Sequence, residues 1–88
     1  MSEYEIYVTR EFEKEFRALT KKNKKLRKAI LKVIDKLRDN PKFGKPLSHD
    51  LAGKWTIRVG RVYRIVYEID EKNKRVILMT IDHRKRVY

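Results

Sequence analysis

WTIRVGRVYRIVYEID, residues 55–70, decides the fold. Trp55, Ile57 and Val59 alternate with Thr56 and Arg58. After Gly60-Arg61, the series Tyr63, Ile65, Tyr67, Ile69 alternates with Val62, Arg64, Val66 and Glu68. A period of two marks half-buried strands, with one face on a core and the other towards solvent. The short link makes the two strands antiparallel neighbours. Arg58 and Arg64 then fall on the open face, where neighbouring strands can bring them together.

Working outward, RVILMTI (75–81) follows the turn at 70–74. Its nearly continuous apolar character predicts a strand buried on both faces. Upstream, PKFGKPLSHDLAGK (41–54) holds both prolines and two of the three glycines. It reads as a loop with a short strand at its end. Leu26, Ile30, Val33 and Leu37, widened by Ile34, form the apolar stripe of a helix from Lys24 to Arg38. Asn40-Pro41 ends that helix, because the residue before a proline is pushed out of the helical region. Phe12, Phe16 and Leu19 mark an earlier helix that Thr9 can cap, with KKNKK (21–25) as the break between the two. Tyr4, Ile6 and Val8 alternate with Glu5 and Tyr7 in a first strand. The expected fold is α+β, in the order β-α-α-β-β-β. A small twisted antiparallel sheet carries two N-terminal helices on one face, and residues 1–88 form a single domain.

The composition points to a polyanion. Lys and Arg number 24 against 12 Asp and Glu, a net charge of +12. Such a surface repels itself unless phosphates or other anions offset it. A Lys/Glu-rich heat-adapted surface is the alternative, but that composition balances the two signs more closely. The chain has no cysteine, so neither disulfides nor thiolate metal sites hold it together. It has no apolar run of about 18 residues, and MSEYEIYVTR is not a signal peptide. The expectation is a soluble cytoplasmic protein without a membrane partner.

PLSHDLAGKW (46–55), RVGRVYRIVYEID (58–70) and IDHRKRVY (81–88) together resemble the RelE/ParE toxin superfamily. HDLAGKW followed by YRIVY is similar to its YoeB-like branch. The resemblance runs from the first strand to the last residue and is strongest over 46–88. It implies a toxin of a toxin–antitoxin pair, silenced by a cognate RelB-like antitoxin. RelE-like members are ribosome-dependent endoribonucleases that cut mRNA in the A site and leave a 2′,3′-cyclic phosphate. ParE-like members share the fold but are described as gyrase poisons, so the fold does not settle the activity.

Cleavage through the 2′-hydroxyl needs a base for O2′, positive charge for the phosphorane, and an acid for the leaving 5′-oxygen. It needs no metal or other cofactor. The two histidines, His49 and His83, lie far apart in sequence without a carboxylate framework. The resemblance places a phosphate-stabilising arginine at Arg64, whose planar fork matches two phosphate oxygens. The competing reading pairs Arg64 with Glu68 on a solvated face. Arg58 shares the predicted face. Thr56 stands where some members carry a lysine, which removes one catalytic cation. Arg84 is implied as a second phosphate or leaving-group contact, and Tyr88 as a base-stacking or proton-transferring residue. His83 is a candidate acid or base, the role histidine most often fills in catalysis, and the pattern brings it towards Arg58 and Arg64. Lys54, Arg61, Lys85 and Arg86 are expected to contact RNA.

The chain departs from the YoeB-like pattern in two places. Lys45 stands where that branch places a catalytic glutamate, and Val87-Tyr88 replaces its His-Tyr end. Lys45 and Tyr88 remain base candidates, but a group that ionises near pH ~10 needs strongly cationic surroundings to act at neutrality. His49 and Asp50 are fallback candidates. A gyrase inhibitor and a non-catalytic RNA-binding module remain as rival functions.

Overall fold

The structure, a computed structural model, describes residues 4–47 and 53–83. Strand β1 (Glu5–Val8) leads into helices α1 (Arg10–Thr20) and α2 (Lys24–Asp39). A 3-10 turn, Pro41–Phe43, and the two-residue strand β2 (Lys45–Pro46) follow. Strands β3 (Lys54–Val59), β4 (Tyr63–Asp70) and β5 (Arg75–His83) complete the chain. The five strands form one sheet in the order β1-β5-β4-β3-β2.

The helix ends are chemically specified. Thr9 Oγ1 accepts the Phe12 N–H at 3.0 Å and donates to the Met79 carbonyl at 2.7 Å. It therefore caps α1 and fastens that end to the sheet. Asn23 Oδ1 accepts the Leu26 N–H at 3.0 Å and starts α2. Ile30 and Leu37 of α2 and Phe12 of α1 pack into the core, where they meet Ile57, Val59, Ile65, Tyr67, Val76, Leu78 and Ile81. Both helices thus cover one face of the sheet, as the apolar stripes require.

The sheet is mixed, not wholly antiparallel. β3, β4 and β5 are antiparallel neighbours, but β1 runs parallel to β5, with Ile6 opposite Val76. Tight turns dictate direction only within β3–β4–β5. β1 reaches β5 from the other end of the sequence, so no short connection fixes its sense. The loop also holds β2 in its middle, paired with Thr56 and Trp55.

β5 is not buried on both faces. Val76, Leu78 and Ile81 are in the core, while Ile77, Met79 and Thr80 are half-buried. Tyr67 pairs with Leu78 but Val66 pairs with Thr80, so Met79 is an extra residue in a bulge. The bulge shifts the inward set from 76 and 78 to 81 and 83. Unbroken apolar character here records a change of parity.

Candidate functional site: a cationic cleft at the edge of β3

The β3–β4 hairpin turns at Gly60, whose φ of +64° suits glycine. Its register sets Arg58 directly opposite Arg64, Thr56 opposite Val66, and Lys54 opposite Glu68. All six lie on the face turned away from the core residues Ile57, Val59, Ile65 and Tyr67. On its other side Arg64 is in register with Asp82 of β5.

β2 covers only the first part of β3. Beyond it a cleft of about 470 Å³ opens at the sheet edge. Lys36 and Val33 of α2, Phe43, Lys45, Arg58 and Arg64 line it. Four cations converge there, and no Asp or Glu is among the described lining residues. Thr56 also lines the cleft, and its hydroxyl is buried with no hydrogen-bond partner among the described residues. Such an array suits a multiply charged anion, and bidentate arginine suits phosphate.

Tyr67 holds the cleft's outer wall in place. Its fully buried ring lies beside Trp55, and its hydroxyl donates to the Pro41 carbonyl at 2.7 Å. The same oxygen accepts the Gly44 N–H at 3.2 Å. Burial pushes the phenol up to about 12, with the Gly44 N–H pulling the other way. Gly44 has no room for a side chain, since a Cβ would stand 2.4 Å from the Thr56 carbonyl oxygen. This close packing sets Phe43 and Lys45 against the arginines.

The other sequence candidates are dispersed. Lys54 forms an ion pair with Glu68, so the Glu68 carboxylate is engaged away from Arg64. Arg61 is exposed in the hairpin turn. His83 is in register with Tyr63 and meets its ring edge-on at 5.4 Å. With Glu15, Ala18 and Leu19 it lines a depression on the helix side of the sheet. The expectation that His83 joins Arg58 and Arg64 is therefore corrected, and the Met79 bulge is the reason. His49, Asp50, Arg84, Lys85, Arg86 and Tyr88 lie outside the described residues.

Sequence reasoning missed Lys36, Phe43 and Glu15. Lys36 places its ammonium 5.2 Å from the centre of the Phe43 ring. Glu15 accepts the Ile81 N–H at 2.9 Å, on the stretch of β5 beyond β1. A recurring lysine every fourth residue of α2 was the available signal for Lys36.

A family model described as the ParE toxin of the type II toxin–antitoxin system parDE matches residues 6–88. The chain is a RelE/ParE-superfamily toxin. RelE4 of Methanocaldococcus jannaschii, described as a toxin, is 34% identical over 85 residues, covering 97% of this chain and 90% of that protein. The RelBE2 toxin–antitoxin complex of Mycobacterium tuberculosis contains a chain that superposes with a TM-score of 0.80 at 29% identity, covering 96% of this chain and 94% of that one. A YoeB/ParE toxin from Agrobacterium tumefaciens shares the fold with a TM-score of 0.80 at 19% identity, over 90% of this chain and 96% of that one. The toxin belongs to a type II toxin–antitoxin system and is RelE-like. No helix among its described residues is long and apolar enough to cross a membrane.

Proposed function

We propose that this toxin is an endoribonuclease that cuts mRNA in the ribosomal A site by attack of the 2′-hydroxyl. The supporting observation is the in-register Arg58–Arg64 pair, which shares one cleft with Lys36 and Lys45. In this reading the scissile phosphate sits over the arginines. O2′ loses its proton to a base and bonds to phosphorus. The P–O5′ bond breaks, an acid protonates O5′, and a 2′,3′-cyclic phosphate remains. Arg64 holds the phosphorane oxygens with its fork, and Arg58 adds charge from the facing strand. Preorganised charge of this kind is often the largest catalytic contribution. Lys45 is the base candidate within the cleft. Arg84 is assigned to the leaving group and Tyr88 to the base or a proton, on family resemblance. His83 has a structural role beside Tyr63. The toxin acts in the cytoplasm, where ribosomes are, and a RelB-like antitoxin silences it.

Primer extension on programmed ribosomes, beside the same mRNA free in solution, tests the proposal. The expected result is a new cut inside the A-site codon, seen only with ribosomes. No cut would overturn it.

A gyrase-directed activity is the second reading, because the matching family model is described as a ParE toxin. Inhibition of gyrase supercoiling, with no RNA cut, would select it.

A further inference from the structure

α2 carries a second feature that the cleft chemistry does not use. Lys24, Lys28, Lys32 and Lys36 recur every fourth residue, and all four are exposed. At ~1.5 Å rise per residue they form a row about 18 Å long on one side of the helix. Among the described residues none of the four is ion-paired. On α2 itself Asp35 pairs with Arg38, and on α1 Glu13 pairs with Arg17.

This arrangement opposes helix stability. Like charges four residues apart repel. The first turn of α2 holds lysines and no acid, against the helix dipole. α1 shows the opposite pattern, with Glu11 and Glu13 in its first turn. The row ends at Lys36, which lines the cationic cleft. α2 contains no aromatic residue on which a base could stack. Single-strand binders use such platforms, whereas duplex RNA is recognised largely through its shape, phosphates and 2′-hydroxyls.

We infer that the Lys24–Lys28–Lys32–Lys36 row is a docking track for a duplex RNA backbone, of the kind the ribosome exposes, leading to the cleft. The inference rests on the reading of the cleft as an RNA site. The track supplies affinity and orientation, and the cleft supplies chemistry.

The test is the triple variant Lys24→Gln, Lys28→Gln, Lys32→Gln, which leaves the cleft residue Lys36 in place. Glutamine keeps helix propensity, and removal of like charges predicts a melting temperature no lower than wild type. Binding to an RNA hairpin duplex is measured against salt, without cleavage. Each lost phosphate contact removes about 0.9 from the slope of log K against log salt. The expected loss for the triple variant is therefore roughly two to three. On ribosomes, half-maximal cutting should need roughly tenfold more toxin, while the rate at saturation is unchanged.

An unchanged salt slope, or no duplex binding by the wild type, overturns the track. So does weakened binding to polyglutamate with duplex binding intact, which assigns the row to an acidic protein. A wild type that binds the duplex but cuts nothing sinks the nuclease reading alone. A triple variant that cuts at wild-type half-saturation with an unchanged slope sinks the track alone.

Discussion

Arg58 and Arg64 face each other directly across the β3–β4 pair. Like charges in that relation destabilise a sheet by roughly 0.2–1 kcal/mol. A purely structural hairpin gains nothing from the repulsion, whereas a bound phosphate removes it. Arg58→Gln should therefore stabilise the free toxin by about 0.5 kcal/mol, a rise of a few degrees in Tm for a domain of this size. The same variant should cut more slowly. A thermal melt checks the first effect and single-turnover cleavage on ribosomes the second. A drop in Tm with full activity would contradict this account of the pair.

Arg64→Ala should lower the cleavage rate by about 10²–10³-fold, the usual effect of removing one preorganised donor. The side chain lies on the face away from the core, so far-UV circular dichroism should be unchanged. Single-turnover rates at saturating ribosomes read the loss directly. Cutting at the wild-type rate would remove Arg64 from the site.

Much of this fold is legible in alternation. Residues 55–59 and 63–69 have one buried face, and a one-residue slip would turn every side chain over. That is why Arg58 and Arg64 could be placed on one face from sequence. His83 could not, because the Met79 bulge reverses parity within an unbroken apolar run. The direction of β1 was hidden too, since its partner lies at the other end of the chain. Lys36 and Phe43 meet across the 3-10 turn that follows α2, which the helical stripe alone does not show. Gly44 looks like an ordinary loop glycine until the Thr56 carbonyl stands beside it.

Gly44→Ala tests the wall of the cleft. The new methyl would lie 2.4 Å from the Thr56 carbonyl oxygen and 2.6 Å from the Tyr67 hydroxyl. The first of these is backbone within a paired strand and has little freedom to retreat. The loop must shift, at a cost of about 1–3 kcal/mol as in other overpacked sites. Lys45 moves with it. The expected outcome is a lower Tm together with slower cutting. Wild-type values for both would show that the close approach is not needed.

Tyr67→Phe separates the hydroxyl from the ring. At neutral pH the variant leaves the Pro41 carbonyl and the Gly44 N–H without their partner, a loss of about 1–3 kcal/mol. The alkaline limb should respond in the opposite sense. The phenol is held up to about 12 in the folded protein, against about 10 in an unfolded chain. The unfolded state therefore releases its proton first as pH rises. The stabilisation is complete below pH ~10 and is lost through pH ~12. Every other group that ionises at alkaline pH is common to wild type and variant. The difference between wild type and Tyr67→Phe cancels that background. Urea unfolding at several pH values should show the wild-type advantage shrinking between about pH 10 and pH 12. A constant difference across that range would mean that the Tyr67 proton is not held by the fold.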